Sequence, residues 1–268
     1  MKQHILKSYS KINIHLGVVG RISPKLHKIE SFVSLTSLHD IIKISQIKNL
    51  HHSVEFHGKF GKNIPTSNTI TQLLKFIDKG NFLKGKKFKI NIKKNIPLSS
   101  GMGGGSMNAA SLITYFLKKK LIYLNHKQIN RLCSNIGSDV VLGLNNKSKI
   151  INNKGHIINL KKKFNVYIVI IKPNFGCKTG EIYGKVRQFS NPVLIKNKIN
   201  NLDDLLNLKN DLEIPAFIKY PKLKKIKNYL LNIPKIKFAR MTGSGSSIVA
   251  YFSMKKDSIN ALKIIKKK

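Results

Sequence analysis

The chain has 268 residues, 41% of them hydrophobic, which is long enough to bury one large core or two smaller ones. No apolar run approaches the roughly 18 residues of a membrane span, so we expect no membrane partner. Two cysteines are too few for a disulfide framework. We therefore expect a cytoplasmic protein with buried, free thiols. The formal net charge is +39, from 50 basic and 11 acidic residues, so any chemistry that needs a carboxylate has few candidates, and none of them forms a glycosidase-like pair.

The first part of the chain contains several predicted strands and one predicted helix. Runs of β-forming residues predict strands at residues 5–19, 32–47 and 52–57. A helix is predicted over residues 68–79, and it should begin near Ser67 and Asn68, because such side chains cap helix N-termini.

A strand, a glycine-rich loop and a helix follow one another around residue 100. Phe88, Ile90 and Ile92 alternate with polar residues, which is typical of a strand with one buried face. Pro97 ends this strand. Beyond the glycines, apolar residues recur at helical spacing and predict a helix from residue 106 to about 119.

The loop at residues 101–105 holds four glycines directly before the predicted helix. Glycine allows the backbone to adopt positive φ and to approach a phosphate closely, while the free amides of a helix N-terminus attract anions. The pattern is not a P-loop, because no lysine follows before Lys118, and it is not a dinucleotide fingerprint, because no acid lies between Asp78 and Asp139. An anion-binding loop is therefore favoured over a tight turn that merely lets a strand and a helix pack.

The alternation of strands and helices starts again near residue 160. Strands are predicted at residues 166–171, 236–241 and 246–253. Helices are predicted near residues 179–188, 210–219 and 221–232, and from about residue 256 onward. The chain is thus predicted to be α+β, with two domains at residues 1–160 and 161–268.

Five segments in register resemble the GHMP kinase superfamily. The glycine loop resembles its phosphate loop, Pro-x-x-x-Gly-Leu-Gly-Ser/Gly-Ser/Gly. The other similar segments are residues 10–16, residues 137–140, Lys172-Pro173 with Thr179 and Tyr183, and residues 242–247. The three consecutive glycines followed by Ser-x-Asn-Ala-Ala are most similar to one branch of the superfamily, which phosphorylates a cytidine diphosphate-linked polyol in isoprenoid biosynthesis.

The resemblance implies a two-domain GHMP kinase fold, with a ribosomal-S5-like N-terminal domain and a ferredoxin-like α/β sandwich as the C-terminal domain. It implies ATP as the phosphoryl donor, together with Mg²⁺ that phosphates and water can hold with few protein ligands. The implied ATP-binding residues are Pro97, Leu98, Ser99, Ser100, Gly101, Met102, Gly103, Gly104, Gly105, Ser106 and Met107. For Ser106 an ordinary helix cap remains an alternative.

The resemblance assigns the catalytic chemistry to one lysine and one aspartate. Asp139 is the implied base for the attacking hydroxyl, and Lys11 is the implied partner that orients Asp139 and neutralises developing charge. Without the motifs, Lys11 would be one surface lysine among many, and Asp139 would be a loop or helix-cap residue.

The same resemblance implies a set of substrate-binding residues: Asn13, His27, Thr179, Tyr183, Gly243 and Ser244. This chain has Pro24-Lys25-Leu26-His27 where the superfamily branch has Asp-Gly-Tyr-His. His27 is kept and the tyrosine is lost, while Tyr183 occupies the position of a second aromatic that would stack on the base. Phosphorylation of another small alcohol therefore stays open, and so does a reading of His27 as a surface histidine.

The positive charge makes a basic RNA-binding protein the alternative from another class. Lysine carries nearly all of this charge and only four residues are arginine, at positions 21, 131, 187 and 240. Bidentate recognition of nucleic acid favours arginine, so dispersed lysines indicate compositional drift and no specific nucleic acid partner. A degenerate kinase that serves as a scaffold is a third possibility, which the intact Lys11, glycine loop and Asp139 argue against. A monomer or a homodimer is expected.

Overall fold

The chain contains both strands and helices, and a computed structural model describes its residues 2–24, 26–161, 166–194, 199 and 201–267. The strands are β1 (His4–Ser23), β2 (Leu26–Ile47), β3 (Ser53–His57), β4 (Lys87–Lys93), β5 (Lys149–Ile151), β6 (Ile157–Asn159), β7 (Tyr167–Ile171), β8 (Phe238–Met241) and β9 (Ile248–Phe252). The α-helices are α1 (Thr69–Lys79), α2 (Gly104–Lys118), α3 (His126–Ile136), α4 (Thr179–Tyr183), α5 (Glu213–Lys219), α6 (Pro221–Leu231) and α7 (Lys255–Lys266). Short 3-10 turns lie at Val140–Gly143 and Asp203–Leu205.

The chain divides into two compact units, and each contains separate stretches of sequence. The first unit consists of residues 1–11, 35–98 and 103–146, and the second of residues 12–34, 99–102 and 147–268. The domain boundary near residue 160 stays a prediction.

The first unit is a small sheet covered by helices. Strand β4 pairs in parallel with β3 and antiparallel with Ile41–Ile47 of β2. Phe88, Ile90 and Ile92 are at most 1% exposed, as their alternation predicts, and they share one core with apolar residues of α1, α2 and α3. The buried face of β4 thus packs against the helices of this unit.

The second unit is a second sheet with its own helices. Strands β7, β9 and β8 form an antiparallel sheet in that order. All of β9 is buried, and Ile248, Ala250 and Phe252 share a core with side chains of α4, α5, α6 and α7. The hairpin of β5 and β6 pairs with Ser31–Val33 of β2. Helices combined with sheets that are antiparallel except for the β3–β4 pair confirm the predicted α+β class.

Several predicted element boundaries are wrong for identifiable reasons. The helix predicted near residues 179–188 ends at Tyr183, and the Gly184 amide donates hydrogen bonds to the carbonyls of Gly180 and Ile182. The longer helix was predicted because Gly184 keeps helical dihedrals and nothing local marks the end. The helix predicted from residue 210 begins at Glu213, because the side chain of Asn210 and the backbone amide of Asp211 bind other segments. Helix α2 begins two residues earlier than predicted, since Gly103 is its N-cap.

Helix α3 and the hairpin of β5 and β6 were not predicted. Ile129, Leu132, Cys133 and Ile136 of α3 nevertheless have helical spacing, and Asn125 forms a capping box with Gln128. The pattern was therefore present in the sequence. The hairpin strands are only three residues each, which is too short for periodicity to identify.

Two expectations from composition concern the membrane and the thiols. Across the described ranges, every helix is too short or too polar to cross a bilayer. Cys133 and Cys177 are both free and buried, as predicted. Burial raises the pKa of the Cys133 thiol to about 11, so it is unreactive near neutral pH.

Candidate active site

A lysine and an aspartate from distant parts of the sequence form an ion pair in the first unit. Lys11 lies at the buried centre of β1, and Asp139 lies in the turn that follows α3. Lys11 Nζ is 3.1 Å from Asp139 Oδ2, and the two side chains are 5% and 34% exposed. Asp139 precedes a 3-10 turn but does not cap it with its side chain. The carboxylate is therefore open to solvent beside a buried ammonium, which suits a group that meets a ligand.

The start of helix α2 lies against this ion pair. Gly103 is the N-cap, with φ of 67°, and α2 has no side-chain cap. A Cβ atom on Gly103 would be 3.0 Å from both Cε and Cγ of Lys11 and 3.5 Å from Asp139 Oδ2. Glycine is required here both for its left-handed conformation and for the approach of Lys11. The first amides of α2 lack intrahelical partners by geometry, so an anion-attracting helix end lies next to the ion pair.

The other glycines of the loop have different roles. A Cβ atom on Gly104 would be 3.0 Å from Ile96 Cγ2 and 3.2 Å from Lys94 Nζ. Gly105 approaches Thr69, whose hydroxyl donates a hydrogen bond of 2.9 Å to the Gly105 carbonyl. These contacts hold the first turn of α2 in place within the first unit.

Residues 99–102, at the entry to the glycine loop, belong to the second unit and pack there on residues 242–247. Gly101 has φ of 75°, and a Cβ atom there would collide with the Thr242 carbonyl oxygen. The Ser247 amide donates to the Ser100 carbonyl at 3.2 Å, and the Thr242 hydroxyl lies 3.4 Å from the Gly101 carbonyl. Close packing of the backbone therefore explains why residue 101 is glycine. At this position the alternative to anion binding, a tight turn that lets elements pack, accounts for the residue.

The predicted substrate residues fall into two groups within the second unit. In the first group, the Asn13 amide donates to the Thr242 hydroxyl at 2.9 Å, and the hydroxyls of Thr179 and Ser244 are 2.9 Å apart. Gly243 follows Thr242, and a Cβ atom there would be 3.4 Å from Asn13 Oδ1. Asn13, Thr179, Gly243 and Ser244 therefore belong to one hydrogen-bonded neighbourhood.

The second group is an aromatic pair. The rings of His27 and Tyr183 are 5.2 Å apart at an interplanar angle of 37°. His27 is only 9% exposed, so it is not a surface histidine. Both ring nitrogens are buried and have no hydrogen-bond partner among the described residues. Burial, with a smaller effect of Arg21, lowers the pKa of His27 and favours the neutral ring.

Sequence reasoning missed Asn210, which holds the residues around Gly243. Its side-chain amide is 2% exposed and donates to the carbonyls of Met241 and Gly243 at 2.7 and 2.8 Å. Nothing in a single sequence distinguishes this asparagine from the many others in the chain. Its role depends on tertiary contacts alone.

Profiles of known families match two segments of the chain. The profile described as the N-terminal domain of GHMP kinases matches residues 68–147, and that of the C-terminal domain of GHMP kinases matches residues 190–268. Both matches agree with the resemblance seen in the motifs.

Curated relatives match over nearly the whole length. The chain is 47% identical over 270 residues to the 4-diphosphocytidyl-2-C-methyl-D-erythritol kinase of Pelagibacter ubique, with 100% of this chain and 96% of that protein covered. It is 31% identical over 257 residues to the protein of the same name from Clostridium perfringens, with 92% and 88% covered.

Solved structures share the fold. A crystal structure of 4-(cytidine 5'-diphospho)-2C-methyl-D-erythritol kinase has a TM-score of 0.79 at 20% identity, with 98% of this chain and 96% of that chain covered. The mevalonate kinase of Methanococcus jannaschii has a TM-score of 0.67 at 17% identity, with 100% and 96% covered. The predicted two-domain architecture is thereby confirmed.

Proposed function

The chain belongs to the GHMP kinases, within the family of 4-diphosphocytidyl-2-C-methyl-D-erythritol kinases, and from this premise we propose how its residues divide the work. It transfers the γ-phosphoryl group of ATP to the 2-hydroxyl of 4-diphosphocytidyl-2-C-methyl-D-erythritol in the non-mevalonate route to isoprenoids. The hydroxyl oxygen forms the new bond to phosphorus, the bond to the β-phosphate oxygen breaks, and ADP leaves. The hydroxyl proton must be accepted during this step.

The observation that carries the proposal is the placement of Gly103 against Lys11 and Asp139. Phosphoryl transfer needs an anion-binding loop, a cation and a proton acceptor at the transferred group, because the reaction depends chiefly on positioning and charge neutralisation. An uncapped helix N-terminus supplies the first, and the ion pair of 3.1 Å beside it supplies the other two. Residues 97–107 are thus proposed to bind the phosphates of ATP.

Asp139 is proposed as the proton acceptor for the attacking hydroxyl. Its carboxylate is one-third exposed and is held by an ammonium that is nearly buried. Lys11 fixes the orientation of the carboxylate and neutralises charge that develops on the transferred group. Position matters more than basicity in this arrangement, since phosphoryl transfer depends chiefly on positioning and charge neutralisation.

The residues near Asp139 also fit a magnesium ion that ATP would bring. Mg²⁺ prefers hard oxygen ligands and keeps several waters and phosphate oxygens. Asp139 offers a carboxylate, and Ser106 Oγ lies close to the same turn, 3.4 Å from the position of a Cβ atom on Gly137. In the described part of the chain, no group of three or more His, Cys, Asp and Glu could hold a metal. The ion would neutralise charge on the β- and γ-phosphates.

The two groups in the second unit are assigned to the two ends of the alcohol substrate. His27 and Tyr183 present adjacent ring surfaces, and neither ring nitrogen of His27 has a hydrogen-bond partner among the described residues. This arrangement suits a cytosine that stacks and accepts or donates hydrogen bonds. Asn13, Thr179 and Ser244, with Gly243, offer hydroxyl and amide groups to the polyol. The protein is proposed to act in the cytoplasm as a monomer or a homodimer, with no specific nucleic acid partner.

A direct assay tests the activity. Purified full-length protein, ATP, Mg²⁺ and 4-diphosphocytidyl-2-C-methyl-D-erythritol should release one ADP for each alcohol phosphorylated. Homoserine and mevalonate serve as competing alcohols. Turnover of either of these, without turnover of the cytidine-linked substrate, would overturn the substrate assignment.

The role of Asp139 is tested by Asp139→Ala. Turnover should fall by a factor of ~10² to 10⁴, as for the loss of a general base, while the affinity for ATP stays nearly unchanged. Calorimetric titration with ATP and a single-turnover assay measure the two quantities separately. Turnover near the wild-type rate would remove Asp139 from the mechanism.

A further inference from the structure

A fully buried carboxylate lies beside the chain segments that enter and leave the glycine loop. Asp40, on β2, is 0% exposed and is one of only eleven acids in the chain. Its contacts are all within the first unit. None of the motifs includes it, and the proposed chemistry does not use it.

Every oxygen of Asp40 is occupied by donors. Oδ1 accepts hydrogen bonds from the backbone amides of Asn95 and Ile96 at 2.7 and 2.8 Å. Oδ2 accepts from the Asn108 side-chain amide at 3.0 Å and forms an ion pair with Lys94 Nζ. Four donors fill the roughly four acceptor sites of one carboxylate.

These donors belong to the two sides of the loop. Asn95 and Ile96 lie directly before Pro97, on the chain that enters it, and Asn108 lies on the second turn of α2, which leaves it. Lys94 is 2% exposed, and its ammonium lies so close to Gly104 that a Cβ atom there would be 3.2 Å away. One side chain thus sets the spacing between the entry to the loop and the helix that follows.

The opposite charges of Asp40 and Lys94 also suit a place beside the N-terminus of α2. An unpaired ammonium beneath the N-terminus of α2 would oppose the helix dipole, and an unpaired carboxylate there would repel phosphate. Asp40 and Lys94 cancel each other, so the helix end keeps its attraction for anions. Stability alone does not explain a buried ion pair here, because apolar residues often replace such pairs without loss of stability. The contacts of Asp40 with both sides of the loop point instead to a role in positioning.

We propose that Asp40 is a positioning residue for phosphoryl transfer: it holds residues 94–96 and Asn108 so that the loop between them keeps the conformation that receives a triphosphate. This inference rests on the proposed function. It adds a requirement that neither the motifs nor the catalytic pair contains.

The test is Asp40→Asn in the full-length protein, with binding of ATP and of inorganic triphosphate measured by calorimetry without the alcohol. The asparagine keeps one oxygen for the two backbone amides, but its NH₂ group faces the donors Lys94 and Asn108. The affinity for both ligands should fall by about tenfold or more, as expected when buried donors lose their acceptor. In turnover assays the KM for ATP should rise more than kcat falls.

Asp78→Asn is the matched control, because Asp78 is an aspartate of the same unit that pairs with a lysine, 2.8 Å from Lys87 Nζ. Its substitution should lower the unfolding temperature and leave triphosphate affinity within about twofold of wild type. If Asp40→Asn does not fold, Asn108→Ala removes one donor at lower cost and should still weaken triphosphate binding.

The outcomes separate the two claims. A wild-type protein that binds neither ATP nor triphosphate would sink the proposed function itself. A wild-type protein that binds them, with Asp40→Asn or Asn108→Ala binding equally well, would sink only the positioning role. An affinity loss in Asp78→Asn as large as that in Asp40→Asn at the same loss of stability would also overturn it.

Discussion

At the scale of single residues, Gly103 combines a left-handed backbone with close approach to Lys11 and Asp139, the proposed catalytic pair. Its φ is 67°, and an added methyl group would meet Lys11 at 3.0 Å. We predict that Gly103→Ala displaces Lys11 and lowers kcat by about 100-fold, as small misplacements of reacting groups do. Steady-state kinetics with saturating ATP and alcohol measure this loss.

The control for Gly103→Ala is Gly85→Ala. Gly85 also has positive φ, at 77°, but a Cβ atom there would meet nothing within 4 Å. Both variants should lose about 1 to 2 kcal/mol of unfolding free energy from backbone strain. Only Gly103→Ala should lose turnover, and equal activities in the two variants would contradict the crowding argument.

The residues that could be predicted are those that carry a motif. Lys11 and Asp139 are 128 positions apart and meet at 3.1 Å, as the hypothesis of a catalytic pair requires. Asn210 and Asp40 could not be found in this way, because tertiary structure brings their partners together: backbone carbonyls for the Asn210 side-chain amide, and two backbone amides and two side chains for Asp40. Asp40 had one available signal: it is an acid in a chain with very few acids.

At the scale of elements, helices α1 and α2 begin in opposite ways. Asn68 accepts hydrogen bonds from the amides of Ile70 and Thr71, and the Thr71 hydroxyl accepts one from the Asn68 amide. Helix α2 has only Gly103 at the same position. A capped helix gains stability, whereas an uncapped one leaves its amides for a ligand.

We predict that Asn68→Ala lowers the free energy of unfolding by about 1 kcal/mol and leaves KM and kcat unchanged. Urea unfolding and steady-state kinetics measure these quantities. Ser67→Ala is the matched control, since the Ser67 hydroxyl makes only a 3.4 Å contact with the exposed Gln72 side chain. Equal stability of the two variants would contradict the assignment of Asn68 as the stabilising N-cap of α1.

Elements were predictable where periodicity extended over several turns or strand residues. Strand β4 and helix α2 were identified because their buried faces repeat at regular spacing. Helix α5 was placed too early because Asp211 donates its amide to the Leu16 carbonyl at 2.9 Å, a contact that local propensity does not contain. Tertiary hydrogen bonds thus decide the ends of elements, and periodicity decides their existence.

At the scale of the whole molecule, three histidines tie stability to pH. Burial is the main cause that lowers the pKa of His15, His27 and His52 from the ordinary value of about 6.5. For His52 the geometry agrees, because Nδ1 accepts a hydrogen bond from the Phe88 amide while Nε2 faces Asp78. The neutral ring satisfies both contacts.

Stability should therefore fall as the pH drops below about 7, since the unfolded chain binds protons that the folded chain refuses. The loss should continue until the pH passes the lowered folded-state values. The pKa of Asp78 is also lowered, as hydrogen bonds from Lys87 and His52 outweigh burial, so its contribution disappears only in stronger acid. Urea midpoints at about pH 8 and about pH 5.5 measure the effect, and His52→Gln should reduce it. A midpoint that rises on acidification would contradict this assignment.

The net charge of +39 makes a final prediction about nucleic acid. Charge spread over lysines attracts any polyanion, but binding without base contacts depends on released counterions and weakens steeply with salt. We expect unspecific RNA to bind at about 50 mM salt and to lose ~10³-fold or more of its affinity by about 200 mM. ADP release from the cytidine-linked substrate should persist at the higher salt, because the groups proposed to bind that ligand, such as His27, are buried and less screened by salt. RNA binding that survives at high salt, measured by fluorescence anisotropy, would instead favour a dedicated RNA surface.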